Sequence, residues 1–201
     1  MSRLAVIKVG GSLLDWPGLP DSLDRYLRNR RLDRLVFLVG GGRFTDLIRD
    51  LDPIHQLGQI RSHHLALHSL DFTARLLEAL VPRLSVVDQL DQLPGVWAQE
   101  QVPVLAPRAF LDEVEATSSH PLPASWDVTS DSIAARVAQA LHANELVLMK
   151  STSPPHGVIH QTDAARAGLV DLYFPSAAKR LTQVFALNLR DPSASPTLLL
   201  P

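Results

Sequence analysis

The chain has 201 residues, 46% of them hydrophobic, and its 19 basic and 21 acidic side chains leave a formal net charge of -2. That balance excludes a global positive field for gathering nucleic acid or anionic lipid, and the length suits one domain around one sizeable core. The absence of cysteine excludes disulfides and thiolate metal sites and fits a cytoplasmic protein. No apolar run reaches the ~18 residues of a membrane span. Residues 1–4 lead straight into a strand-like segment, so no signal peptide is expected.

In chain order, residues 4–9 (LAVIKV) form a β-branched apolar run that ends in Gly10-Gly11-Ser12, the pattern of a buried strand leaving into a tight turn. A helix capped by Asp21 or Ser22 is expected to about Arg30. Residues 35–39 (LVFLV) predict a second buried strand, which ends in Gly40-Gly41-Gly42 and passes into a helix through about Leu51. Residues 59–80 contain no glycine or proline and predict one long helix. Short strands are expected at 85–87 and 102–106, a loop at 118–125, and a helix capped by Thr129 or Ser130 as far as about His142. Residues 146–149 predict another buried strand. Residues 151–157 predict an irregular loop, because Pro154-Pro155 forbids both helix and central strand. A short helix at 163–168, a last strand at 183–189 and a C-terminal tail complete the reading. Strands alternating with helices imply an α/β fold around a mainly parallel sheet, with ligands at the carboxyl ends of the strands.

Both glycine clusters fall at that edge. Glycine lets backbone N–H groups turn toward a ligand at close range, and such arrays at a helix start bind phosphate. One cluster is suited to donor phosphates and the other to an acceptor; the plainer alternative is two tight strand-to-helix turns. Neither cluster is a GxxxxGK[ST] or GxGxxG motif. Of the 19 basic side chains only Lys8, Lys150 and Lys179 are lysines. Lys8 lies among Val6, Ile7 and Val9, where an ammonium is costly unless it meets a partner. From there it can reach past the strand end to stabilise a transferring phosphoryl group. Asp127 and Asp131 bracket a helix start, where they either cap the helix or orient a lysine and the Mg2+ that accompanies ATP. His64 and His68 have metal-ligand spacing on the long helix but lack the glutamate of HExxH, so a packed or acceptor-facing histidine is the preferred reading. His120, His156 and His160 are expected in solvent.

The segments KVGGS (8–12), VGGGR (39–43) and TSDSIAARVAQAL (129–141), in that order, resemble the amino-acid-kinase superfamily. Residues 40–80 with WDVTSDS (126–132) are most similar to a branch that contains archaeal kinases of aminomethylfuran phosphate. The resemblance implies a three-layer αβα sandwich, with an acceptor-side lobe at about 1–125 and a nucleotide-side lobe at about 126–201. It implies an ATP-dependent kinase that works with Mg2+ and a small anionic acceptor such as a phosphate monoester, and that forms a homodimer or larger assembly. The alternatives are a non-catalytic nucleotide- or anion-binding member, or a kinase for a carboxylate or nucleoside monophosphate. Lys8 and Asp131 are implied as catalytic. Gly10, Gly11, Ser12, Gly40, Gly41, Gly42, Arg43, His64 and Asp127 are implied around the acceptor and its phosphates, and Lys150, Ser151 and Lys179 near the nucleotide. The chain departs from the family in reading MKSTSPPHGVI (149–159) where a TDVDG-like loop is usual, and the second catalytic lysine falls to Lys150 or Lys179.

Overall fold

The computed structural model describes residues 3–30, 34–156 and 159–201. Along the chain the elements are β1 (Leu4–Val9), α1 (Leu19–Asn29), β2 (Arg34–Val39), α2 (Gly42–His55), α3 (Gln59–Leu80), β3 (Leu84–Val87), α4 (Leu93–Ala98), β4 (Val102–Leu105), α5 (Pro107–Glu113), α6 (Ser130–Ala140), β5 (Glu145–Lys150), α7 (Gln161–Arg166), α8 (Phe174–Ala177), β6 (Val184–Asn188) and β7 (Thr197–Leu198). The strands join in one sheet in the order β3-β4-β2-β1-β5-β6-β7. Every pairing is parallel except the last. This is the expected α/β architecture, a three-layer αβα sandwich.

Strands covered on both faces must be apolar throughout, which is why β1, β2 and β5 read as continuous hydrophobic runs. Alternate residues divide between two cores. Ala5, Ile7, Val9, Phe37, Val147 and Met149 pack with α1 and the C-terminal half of α3. Val6, Val36, Leu38, Leu146 and Leu148 pack with α6 and with α4, α5, α7 and α8. Lys8 has the parity of Val6, and Lys150 that of Leu146 and Leu148, while the register places Lys8 opposite Leu148. Both lysines therefore belong to the α6 face, two register positions apart, on adjacent central strands.

Several segments depart from expectation. The first helix begins at Leu19 behind Gly18, not behind an Asp21 or Ser22 cap, because Pro20 is suited to a first helical turn. The C-terminal residues are not a tail: β7 pairs antiparallel with β6, and Leu199 is fully buried beneath it. Two short helices, α4 and α5, occupy segments in which none was expected, each with proline in its first turn, where the missing N–H costs nothing. The helix expected at 163–168 begins two residues earlier and ends before Gly168, whose φ of +70° terminates it. Residues 151–156 are irregular as expected, and Gly157 of that predicted loop lies outside the described residues.

Candidate active site

Asp131 stands in the first turn of α6, 4% exposed, and its carboxylate joins the two strand lysines. Lys8 Nζ lies 2.9 Å from Oδ1, and Lys150 Nζ lies 2.8 Å from Oδ2 and 2.9 Å from Oδ1. Burial alone would raise the Asp131 pKa, but the Lys150 and Lys8 ammonium groups overcome it and hold the carboxyl at about 2. Burial lowers the Lys150 pKa to about 8, with Lys8 reinforcing the fall and Asp131 opposing it. Two cations share one anion, so the cluster carries a net positive charge in a water-poor setting. There a fixed charge acts far more strongly than in bulk solvent.

The glycine loops lie beside this cluster and against each other. A Cβ on Gly11 would fall 2.3 Å from the Gly42 nitrogen, and one on Gly41 would fall 1.8 Å from Thr45 Oγ1. Gly42 has a φ of +54°. Gly11 is thus required by the close approach of two backbones, and Gly41 by the Thr45 and Ser69 side chains packed on it, as much as by any ligand. Among the described residues, the N–H groups of Gly11, Ser12, Gly41 and Gly42 donate to no protein acceptor, and all four residues line one cavity. Ser12 Oγ and Ser151 Oγ are 3.0 Å apart, tying the first loop to the segment after β5.

Two cavities meet over Gly11 and Ser12. The larger, about 280 Å³, runs from both glycine loops to Asp46 and Arg49 of α2, His63, Leu67 and Leu70 of α3, and Trp126, Val128 and Ile133. The other, about 220 Å³, is lined by Lys8, Gly10, Gly11, Ser12, Lys150, Ser151, Thr152, Gly168 and Leu169. A third, bounded by His63, His64 and Glu115 among others, adjoins the larger one.

Several expected site residues stand elsewhere. Arg43 turns outward to Asp15 (Nε to Oδ2, 2.8 Å) and is highly exposed; the arginine lining the larger cavity is Arg49, stacked 4.9 Å from the Trp126 ring. His64 is exposed and lines the third cavity but not the larger one, whereas His63 is buried and lines both. His63 Nδ1 is 3.2 Å from the Ser125 carbonyl, and burial lowers its pKa. Asp127 is exposed, outside these cavities. Lys179 is exposed just beyond α8, and α8 is tied to the far end of α6 by the Gln139 side-chain amide donating to the Ala177 carbonyl. Eight residues of helix, about 12 Å, separate Gln139 from Asp131.

One carboxylate of the site was not foreseen. Asp171, between α7 and α8, accepts hydrogen bonds from Thr129 N (3.0 Å), Thr129 Oγ1 (2.9 Å), Ser132 N (3.0 Å) and Ser132 Oγ. Thr129 accordingly does not cap α6 with its own side chain. Burial raises the Asp171 pKa, Asp131 raises it further, and the bonds from Ser132 and Thr129 offset part of the rise. Among the described residues no group of three acidic or histidine side chains is arranged to hold a metal ion.

Fixed cations beside unpaired N–H groups, at the carboxyl edge of a parallel sheet, are the equipment of a phosphotransferase. The chain belongs to the amino acid kinase family, whose model matches residues 3–154. It is 25% identical over 198 residues to the [5-(aminomethyl)furan-3-yl]methyl phosphate kinase of Methanocaldococcus jannaschii, an alignment covering 93% of this chain and 88% of that protein. In fold it resembles a UMP kinase from Bacillus anthracis, with a TM-score of 0.64 at 11% identity, covering 95% of this chain and 89% of the other. It also resembles an aspartate kinase from Synechocystis, with a TM-score of 0.66 at 15% identity, covering 99% of this chain and 40% of that larger one. The protein is a kinase of this family, and no described helix is long and apolar enough to cross a membrane.

Proposed function

We propose that the protein transfers the γ-phosphoryl group of ATP to a small anionic acceptor, a phosphate monoester of the kind named in its methanogen relative. The observation that carries this reading is the placement of Lys8 and Lys150 on one carboxylate beside the glycine loops. An oxygen of the acceptor phosphate attacks the γ-phosphorus, the bond to the β-phosphate oxygen breaks, and ADP departs with the electron pair. A phosphate oxyanion is already a nucleophile, so no general base is needed. What the reaction requires is charge stabilisation and alignment. Lys8 and Lys150 supply the charge, each ammonium keeping N–H donors beyond those spent on Asp131. Asp131 holds the pair apart and in place. Gly10, Gly11, Ser12, Gly40, Gly41 and Gly42 cradle the phosphates, with the acceptor in the larger cavity and the nucleotide phosphates beside Lys8, Lys150 and Ser151. The acceptor then draws mainly on residues up to about 125 and the nucleotide on those beyond. Both Asp131 oxygens hold lysine, so in this reading Mg2+ would be carried by the nucleotide phosphates and would supply charge neutralisation there, with Asp131 serving the lysines.

Arg49 and His63, rather than Arg43 and His64, are the side chains of this reading at the acceptor, and Lys150, not Lys179, is the second cation. ATP as donor goes with a cytoplasmic site of action. A homodimer completes the reading: α2 buries none of its residues, and Phe44, Leu47 and Ile54 stand exposed on it beside Ile60, Leu65 and Phe72 of α3. Large exposed apolar side chains gathered on two neighbouring helices mark an interface. The test is ADP release from MgATP over a panel of acceptors that includes aminomethylfuran phosphate, UMP, aspartate and N-acetylglutamate. Release dependent on aminomethylfuran phosphate supports the proposal; release only with UMP, a monoester of a nucleoside, or only with a carboxylate refutes the acceptor class.

A further inference from the structure

Asp171 stands apart from both glycine loops and lines neither cavity of the proposed kinase site, yet it gives that site its shape. Its carboxylate takes four hydrogen bonds from the two residues that flank Ser130-Asp131: backbone and hydroxyl of Thr129, backbone and hydroxyl of Ser132. A first helical turn leaves its N–H groups without partners inside the helix. Here that turn is clamped on both sides of Asp131 by a residue some 40 positions further along the chain. The clamp fixes the rotation of α6, and that rotation decides whether the Asp131 carboxylate falls between β1 and β5. The two strand lysines are held independently by the sheet register, so a shift of the helix start would separate Asp131 from them.

We infer that Asp171 is a positioning residue of the phosphoryl-transfer site, acting through the first turn of α6 to hold Asp131 between Lys8 and Lys150. Its negative charge has a second effect. The titratable groups facing Lys150 are Lys8 on β1, Asp131 on α6 and, outside the cluster of two lysines and one carboxylate, Asp171 before α8, which favours the charged form of Lys150. The inference rests on the kinase reading for its catalytic consequence, but the geometry it asserts is measurable without turnover.

The chain offers a direct probe, because it contains only three lysines. Protein labelled with 13C at lysine Cε gives one titrating resonance each for Lys8, Lys150 and Lys179, assigned by substitution. In Asp171→Asn the midpoint of Lys150 is expected to fall by at least about half a pH unit, since both the clamp and the charge that favour its ammonium are lost. In the same variant kcat is expected to fall at least about tenfold, with the KM for MgATP changed less than about twofold. Ser132→Ala removes one of the four bonds while keeping the charge, and provides the measurement should Asp171→Asn not fold; its Lys150 midpoint should shift the same way by a smaller amount. A Lys150 midpoint unmoved in the folded variants overturns the inference and leaves Asp171 a helix cap. A shifted midpoint in Ser132→Ala, where the charge is kept, supports the positioning role even if the wild-type protein releases no ADP with any acceptor, a result that would refute the kinase reading alone.

Discussion

Lys150 Nζ lies within 2.9 Å of both oxygens of Asp131, so the last residue of β5 is bound in two-pronged fashion to the helix that crosses above it. Lys8 reaches the same carboxylate from the neighbouring strand. Either lysine alone can neutralise Asp131; together they leave the cluster cationic, which is what a transferring phosphoryl group demands.

Single removal of a lysine should therefore cost catalysis and spare the fold. Lys8→Ala and Lys150→Ala are each expected to lower kcat by at least about a hundredfold, the scale of losing one preorganised charge donor. Thermal melts should confirm native-like stability, because Asp131 keeps one partner. The double variant leaves a buried carboxylate unpaired and is expected to lose about 3–5 kcal/mol in chemical denaturation. Lys179→Ala, at an exposed position beyond α8, should leave kcat unchanged.

The lowered pKa of Lys150, about 8, sets the alkaline limit. Activity should fall as pH rises through that value and the ammonium is lost. Stability should not fall with it. Between about 8 and 10.5 the unfolded chain binds the Lys150 proton and the folded chain does not, so this group's contribution to stability grows with pH. Asp131 acts at the other end: its folded pKa of about 2 lies below the ordinary 3.8, so its contribution is present above 3.8 and is lost as pH falls through 2. A pH series of kcat beside one of melting temperature separates the two effects.

Gly11→Ala sets a Cβ 2.3 Å from the Gly42 nitrogen, backbone against backbone, with no side chain free to yield. The loops must part, at a cost of about 1–3 kcal/mol and with loss of the N–H array. Binding of MgATP by calorimetry should weaken by at least about tenfold. Gly95→Ala, with nothing within 4 Å of the added carbon, is the control and should bind normally.

The apolar face of α2 and α3 is expected to bury itself in a second copy. Phe44 and Phe72, with ring centroids 4.6 Å apart, lie on that face. Phe72→Glu should convert a dimer to a monomer in sedimentation velocity while leaving the monomer folded, since Phe72 is half exposed within the protomer.

Much of this site could be read before any coordinates. Lys8 stood out as a lysine inside an apolar strand, and the parity of residues 8 and 150 fits the one face on which both are found. Period explains why Arg43 and His64 face away from the larger cavity. On α3 the buried residues His63, Ala66, Leu67, Leu70, Ala74 and Leu77 follow helical spacing, while His64 and His68 share the solvent side. Counting that stripe would have chosen His63. Arg43, at the second position of α2, points away from the cavity toward Asp15, and Arg49, nearly two turns later, turns toward Trp126. Asp171 carried no local signal: it is one acidic residue in the segment VDLYF (170–174), and only the chain reversal between α7 and α8 brings it to the start of α6. The strand β7 was missed because two residues of antiparallel edge pairing leave no periodicity to read.

The most direct test is 31P NMR of the protein with MgATP and aminomethylfuran phosphate. The monoester resonance is expected to be replaced by a diphosphate pair in step with the appearance of ADP, and Lys8→Ala to abolish the change. Unaltered ATP and monoester signals with wild-type protein, after calorimetry has demonstrated that both bind, would contradict the proposed transfer.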